Sequence, residues 1–332
     1  MRRSERQRVS IVVPVYNEVD GIATLVRELL AVLTPLPYEH TIILVDDGST
    51  DGTAERLDEL QAAHADCVTV LHLSRNFGHQ AALTAGMDYA DGDAVICMDA
   101  DLQHPPSLIP EMLRRWQDGF DIVQAVRRDP AGTGLMKVAT AKGFYTLVNY
   151  LSATRIEPNA ADFRLLSARV VRIFREDLRE RDRFIRGLVS WVGFRKCHLE
   201  FDARPRWANE TKYTMARMAN FARTGIISFS KVPLKIAVLF GTVISALSLA
   251  YGVFAAAAYV FFHKAVMPGW ASTIVVGTFL GGCQLLFLGL IGEYIATIFD
   301  EIKGRPLYIV SALRRATGAV HPPSSGHAPA DR

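Results

Sequence analysis

The chain has 332 residues, half of them hydrophobic, with 37 Lys and Arg against 34 Asp and Glu. That length suits roughly two domains, and a net charge of +3 suits an anionic lipid surface and points away from nucleic acid. The four cysteines, Cys67, Cys97, Cys197 and Cys283, lack any paired C-x-x-C spacing, which argues against a zinc site or a disulfide frame and for reduced thiols.

The N-terminus is basic and leads into "VSIVVPVY", too short and too β-branched for the apolar core of a signal peptide. The first ~230 residues are therefore expected to stay in the cytoplasm. Val9 to Val15 reads as a strand. "NEVDGIATLVRELLAVL" reads as an amphipathic helix with Asn17 or Asp20 as N-cap. "HTIILVDDGS" is a second apolar strand, "TDGTAERLDELQAAH" a helix, "VTVLHLS" a third strand and "GHQAALTAGMDYA" a helix. "DAVICMD" is the fourth strand. Strands and helices in alternation predict an α/β fold with a mostly parallel sheet.

Polar clusters follow each strand: Pro14 to Glu18, Asp46 to Ser49, Arg75 to Gly78 and Asp99 to Gln103. In parallel α/β sheets ligands bind beyond the carboxyl ends of the strands, so four clusters on one edge predict a site there. The two common phosphate-cradling signatures, G-x-G-x-x-G and G-x-x-x-x-G-K-[ST], are absent. Asp99 and Asp101 stand two apart in extended chain and so point to one side. Two carboxylates that close repel unless a cation lies between them. The pair is thus either a divalent-metal site or a solvated turn, which Pro105 and Pro106 close.

Charge nearly vanishes after Lys235. Ile236 to Phe262 and Ala271 to Gly292 contain no Asp, Glu, Lys or Arg. A membrane-spanning helix needs about 20 such residues, and the alternative is a pair of buried core helices. Lys231, Lys235, Lys303, Arg305, Arg314 and Arg315 flank the two runs, and only Lys264 lies between them. The positive-inside rule places both termini in the cytoplasm and a short hairpin outside. "YTMARMANFARTGIISFSK" reads as an amphipathic segment lying on the membrane surface or as a soluble helix. The tail "HPPSSGHAPADR" has the composition of disorder. The expected domains are residues 1–212, a cytoplasmic α/β domain; 213–232, the juxtamembrane segment; 233–299, two spans at about 236–262 and 271–295; and 300–332, a C-terminal segment with its tail.

"VVPVYNE", "VDDGSTDGT", "NFGHQAALTAGMDYADGD" and "MDADLQHPP" occur in an order and spacing that resemble glycosyltransferase family 2, with the GT-A fold. "GEYIATIFDEIKGRPLYIV" resembles the juxtamembrane signature of polyprenyl-phosphate glycosyltransferases, the bactoprenol glucosyltransferases and, more distantly, the dolichol-phosphate mannose synthases. The resemblance spans roughly residues 8 to 312. It implies an inner-membrane, multi-pass enzyme that transfers one sugar with inversion from a nucleotide-diphosphate sugar to a polyprenyl phosphate such as undecaprenyl phosphate. It also implies a β-linked lipid-phosphate sugar as product and a homo-oligomer, possibly a tetramer.

On the matching positions the resemblance implies Asp99 against the nucleotide-sugar and the metal, with Asp101 and Gln103 ligating Mg²⁺ or Mn²⁺. Hard oxygen ligands suit both ions, and either would neutralise the diphosphate leaving group. Pro14, Tyr16, Glu18 and Asp47 match the nucleoside pocket. Asp46 shares that work or caps the next helix. Arg127 in "VQAVRRD" matches a phosphate-contacting arginine, and Lys212 in "ETKYT" a lysine near the acceptor phosphate. Asp162 in "NAADFRLLS" matches an acid near the reacting centre. A phosphomonoester acceptor has a second pKa near ~6 and is already nucleophilic at neutral pH, so Asp162 is either a base or the orienter of an arginine such as Arg164. "WANETKY" departs from the family's Ala-Gly-x-Ser-Lys-Tyr, but Asn tolerates left-handed backbone.

No residue decodes the donor sugar. UDP-glucose is the first expectation, with UDP-N-acetylglucosamine, UDP-aminoarabinose and GDP-mannose as alternatives. A processive polysaccharide synthase is disfavoured because Ala203 stands where its Gln-x-x-Arg-Trp motif needs Gln. A non-catalytic nucleotide-sugar-binding subunit would not need the complete Asp99, Asp101 and Gln103 set.

Overall fold

The computed structural model describes residues 6–128, 160–181, 183–202, 232–262 and 269–317. Lys212, residues 213–231, residues 263–268 and the residues from 318 onward lie outside them. The chain divides into two compact units: the larger holds the N-terminal domain together with the residues from Arg305 onward, and the smaller holds the two long apolar helices.

The larger unit is built on one eight-stranded sheet. Its first half alternates strand and helix as its hydrophobic pattern dictates: β1 Arg8–Val15, α1 Ile22–Leu33, β2 Glu39–Asp46, α2 Thr53–Ala63, β3 Val68–Leu73, α3 His79–Tyr89 and β4 Ala94–Cys97. After a 3-10 turn come α4 Ile109–Gln117, β5 Ile122–Arg127, β6 Ala160–Ser167, α5 Ala168–Glu176, α6 Ile185–Trp191 and β7 Lys196–Phe201. The strand order is β7-β5-β6-β4-β1-β2-β3-β8, where β8 is Val310–Arg314. β1 pairs in parallel with both β2 and β4, and β2 with β3. β6 is antiparallel to both of its neighbours, β4 and β5.

β1 is buried along nearly its whole length, as expected of a strand covered on both faces. Val9, Ile11, Val13 and Val15 join one core with Ile22, Leu25, Val26, Leu29 and Leu33 of α1, Leu57 of α2, and Ile109, Met112 and Leu113 of α4. The α1 residues recur at three- and four-residue spacing, so one helix face supplies them all. On the opposite face α3 packs on β1 and β2. That approach needs Gly86, because a Cβ there would sit 2.2 Å from Val12 Cγ1. Gly86→Ala gains ~1 kcal/mol of helix propensity but overpacks a core at a cost of about 1–3 kcal/mol. A net loss of up to about 2 kcal/mol is expected, read as a lower denaturation midpoint; a midpoint above wild type would sink this account.

α1 differs from expectation at its start. It begins behind Gly21 with no side-chain cap. Asn17, with φ +55°, instead accepts a bond from Thr50 N through its side-chain oxygen, 2.9 Å. The asparagine serves loop-to-loop pairing rather than the helix end.

The sequence pattern shows no strand after the apolar runs, yet β8 closes the sheet edge antiparallel to β3. Ser74 N donates to Ile309 O, and Thr317 N to Ala65 O, 2.7 Å. Tyr308 Oη donates to Asp88 Oδ2, 2.7 Å, beside the Arg179 ion pair on the same carboxylate. Five residues in half-buried alternation at a sheet edge carry too little pattern to be read locally.

The smaller unit contains α7 Val232–Phe262 and α8 Trp270–Ile302. Among the described residues one stretch, Phe279–Ile302 in α8, is long and apolar enough to cross a membrane, and Ile236–Tyr251 in α7 is a shorter apolar stretch. The side chains described at Leu239, Phe240, Leu247, Leu249, Phe254, Phe279, Leu285, Leu286 and Leu288 are exposed.

Candidate active site

The parallel strands reverse their order at β1, which has β2 on one side and β4 on the other. That switch point opens a crevice at the carboxyl ends of the strands. The loops after β1, β2, β3 and β4 all emerge there. So does the end of β5, because β5 and β4 both run antiparallel to β6. β6 runs the other way, so its beginning, not its end, lies at this edge.

The β4–β6 register pairs Cys97 with Arg164. Carried two residues further, it sets Asp99 beside Asp162. His79, the first residue of α3, completes the cluster. Its Nε2 lies 3.4 Å from Asp99 Oδ1 and 3.8 Å from Asp162 Oδ2. One ligand atom from each of the three residues falls within 4.8 Å of the others.

Asp99 Oδ1 is buried without a hydrogen-bond partner. Burial raises the Asp99 pKa, opposed by the histidines His104 and His79. A buried carboxylate oxygen without a hydrogen bond is costly; His79 faces it at 3.4 Å, and a cation would satisfy it. Asp99 N donates to His104 Nδ1, 3.2 Å, which leaves the proton of a neutral ring on Nε2. The His104 ring stacks on Phe163 at 5.2 Å, and burial lowers its pKa. It is a neutral buttress to the carboxylate.

Asp101 and Gln103 sit in the same loop, where Gln103 N donates to Asp101 Oδ1, 3.1 Å. Leu102 between them is buried and holds φ +60°, a conformation that costs a non-glycine residue roughly 1–3 kcal/mol and concentrates at functional sites. The donors in this loop are two carboxylates and one amide oxygen, with His79 adjacent. Hard oxygens suit Mg²⁺ and Mn²⁺, and an imidazole is tolerated by the latter. Among the described residues, His79, Asp99 and Asp162 are the ligand-bearing side chains that the structure brings within reach of one another; with Asp99 Oδ1 lacking a hydrogen bond and Asp101 and Gln103 in the loop that follows, the donor types fit a divalent cation.

Asp162 is buried between two arginines. Arg164 Nη2 bonds Asp162 Oδ1. Arg186, from α6, forks onto it with Nε–Oδ1 at 3.1 Å and Nη2–Oδ2 at 2.7 Å. Burial alone would raise the Asp162 pKa, but the two guanidiniums hold it far below the usual carboxylate range. Arg164 is 0 % exposed and cannot meet a ligand, so the arginine that Asp162 can present to the crevice is Arg186, a third exposed.

The remaining sequence candidates divide. Pro14 is buried near the end of β1, and Tyr16 just beyond it is 46 % exposed. Glu18 is half-buried, with its N donating to Thr53 Oγ1, 3.0 Å. Asp47 is buried and accepts from Phe77 N at 2.7 Å and Gly78 N at 2.9 Å. Burial raises its pKa against those two bonds. It thereby holds the loop after β3 to the loop after β2. Gly48 next to it has φ +71°, and a Cβ would meet Arg75 backbone at 2.6 Å. Asp46 does not cap α2, whose N-cap is Gly52; it accepts from Ser49 N, 2.9 Å, and faces His72. Arg127 is exposed at the end of β5. Lys212 is outside the described residues.

The sequence pattern assigns no role to His79, His104 or Arg186. A histidine directly after the "NFG" turn was the available signal for the first. An arginine on a short helix carries no local mark of function.

The glycosyl transferase family 2 model matches residues 10–172. An uncharacterized glycosyltransferase of Synechocystis is 46% identical over 305 residues, covering 92% of this chain and 95% of that one. An uncharacterized glycosyltransferase of Bacillus subtilis is 41% identical over 307 residues, 92% and 94% of the two chains. A prophage-derived bactoprenol glucosyl transferase of Shigella flexneri is 39% identical over 308 residues, 93% and 99%.

Proposed function

Since this chain belongs to glycosyl transferase family 2, we propose that it transfers a single sugar, with inversion, from a nucleotide-diphosphate sugar to a polyprenyl phosphate such as undecaprenyl phosphate. UDP-glucose is the donor we favour, in keeping with the near full-length similarity to the Shigella enzyme. α7 and α8 span the membrane twice and keep the catalytic domain at the surface where the lipid acceptor resides, which is a proximity device. Both termini are cytoplasmic by the flanking-charge argument.

The observation that carries the reading is Asp99 Oδ1, buried without a hydrogen bond at the β1/β4 switch point and faced by His79. Asp99, Asp101 and Gln103 would hold Mg²⁺ or Mn²⁺, with His79 in reach of the same point. The ion, when bound, supplies positive charge to the diphosphate as it departs. Pro14, Tyr16, Glu18, Asp46 and Asp47 frame the nucleoside. Arg127 and Lys212 contact phosphate.

In the transfer itself an acceptor phosphate oxygen attacks the anomeric carbon. The bond to the donor diphosphate breaks, and its electron pair leaves with the nucleoside diphosphate. No proton has to be removed from a phosphomonoester dianion, whose second pKa is about 6. Asp162, clamped by two guanidiniums, is a poor base. It acts as the orienter of Arg186, which faces the acceptor phosphate.

The test is transfer in native membranes. Undecaprenyl phosphate is supplied with radiolabelled UDP-glucose, UDP-N-acetylglucosamine, UDP-aminoarabinose and GDP-mannose, with Mg²⁺, Mn²⁺ or chelator. Chelator-sensitive label in the lipid fraction from UDP-glucose is expected. Label from a different donor would correct the sugar alone, and no lipid label from any donor would end the proposal.

A further inference from the structure

His72 is half-buried on β3, on the strand next to β2, away from the His79, Asp99 and Asp162 cluster. Its Nδ1 lies 3.0 Å from Asp46 Oδ2 and its Nε2 lies 3.1 Å from Asp58 Oδ1 on α2. The same Asp58 oxygen is 3.5 Å from Arg314 Nε on β8. Ser311 Oγ of β8 donates to His72 O, 3.0 Å. On its other oxygen Asp46 accepts Ser49 N, 2.9 Å, and Ser49 Oγ accepts Asn17 N, 3.1 Å. The bonds form one unbroken line from β8 to the Tyr16–Glu18 loop.

The geometry points to His72 as a positioning residue of the nucleotide pocket, holding the Asp46 carboxylate in place and tying it through Asp58 and Arg314 to the strand laid down after the two apolar helices. This rests on the reading of that edge as the nucleotide-sugar site. The charged and titratable groups that face the ring are Asp46 from β2, Asp58 from α2 and, behind Asp58, Arg314 from β8.

The chemistry follows from the ring's two nitrogens. A protonated imidazole donates to both carboxylates at once, and a neutral one can donate to only one. The loss leaves a lone pair facing a carboxylate at the other end. The hydrogen bond to Asp46 raises the His72 pKa, burial opposes it, and Asp58 adds to the rise. Burial alone would raise the Asp46 pKa, but the bonds from His72 and Ser49 outweigh it and lower it. The clamp is therefore complete below the ordinary histidine pKa near ~6.5 and is lost as pH rises through the higher folded value. Loss of the proton leaves the ring donating to only one of the two carboxylates, so it no longer ties Asp46 to Asp58, and the Ser49 and Asn17 contacts that shape the pocket lose that support.

The experiment measures binding of UDP-glucose and of GDP-mannose, neither of whose diphosphates titrates in this range, to the full-length protein in detergent with Mn²⁺ between pH 6 and 9. Wild type is expected to bind one of them with an affinity that falls as pH rises. His72→Gln should bind it about tenfold more weakly at pH 6.5, because hydrogen bonds to charged groups are worth that much, and should show no such fall. In turnover the donor KM should rise by more than kcat declines. Asp58→Asn, at a partly exposed position, removes one negative charge facing the ring and should move the midpoint to lower pH. Equal affinity of wild type and His72→Gln across the range would overturn the proposal. So would weaker binding that keeps the wild-type pH dependence, since that is a packing defect. If wild type binds neither nucleotide sugar, the nucleotide-site reading falls and this inference with it.

Discussion

Asp101→Asn loses about three orders of magnitude in transfer rate while the protein folds and inserts normally. The substitution keeps an oxygen that can accept from Gln103 N, the bond Asp101 makes at 3.1 Å, so the loop through Leu102 is retained. What disappears is one negative charge from the set proposed to attract a divalent cation. A bound ion contributes several kcal/mol of charge stabilisation to a departing diphosphate, and each ~1.4 kcal/mol is tenfold in rate. Transfer of radiolabel to lipid measures the loss, and circular dichroism with membrane fractionation checks the fold. Turnover near that of wild type would remove Asp101 from the metal assignment.

The second large effect falls on stability. Asp162→Asn is expected to destabilise the catalytic domain by about 3–5 kcal/mol, the usual result of removing one partner from a buried ion pair. The reason is Arg164, fully buried with Nε and Nη1 already unpartnered. Its remaining bonds from Nη2 go to Asp162 and to Ala161 O. Without the carboxylate, a full positive charge is left inside the sheet. Arg186→Ala separates the two roles, since it leaves Asp162 and Arg164 paired. It should keep most of the stability and lose transfer. The acid limb of the pH profile should stay near ~6 in Asp162→Asn, because the acceptor phosphate sets it. Unchanged stability in Asp162→Asn would show that the Arg164 charge is met some other way. An acid limb that vanishes would restore Asp162 as a base.

Much of the architecture is legible from local pattern. β1 to β4 are apolar runs separated by amphipathic helices, and burial on both faces demands that composition. The clusters from Pro14 to Glu18, at Asp46 and Asp47, and from Asp99 to Gln103 follow those strands directly, so the parallel-sheet rule alone brings them to one edge. The two charge-free runs announce long apolar helices, because hydropathy needs no partner to be read.

Tertiary structure decided the rest. Nothing in "NAADFRLLS" says that β6 runs antiparallel between β4 and β5, yet that direction is what sets Asp162 against Asp99 and Arg164 beneath it. His79 and Arg186 lie on helices, where a charged or polar side chain usually faces water, and only packing turns them onto the carboxylates. β8 is five residues far along the chain that complete an edge begun at β3, and His72 gains its three-way contact only when that edge closes. Local periodicity records which face of a segment is buried. Strand direction, register and the pairing of distant charges come from contacts between residues far apart in the chain, and these leave no mark on their neighbours in sequence.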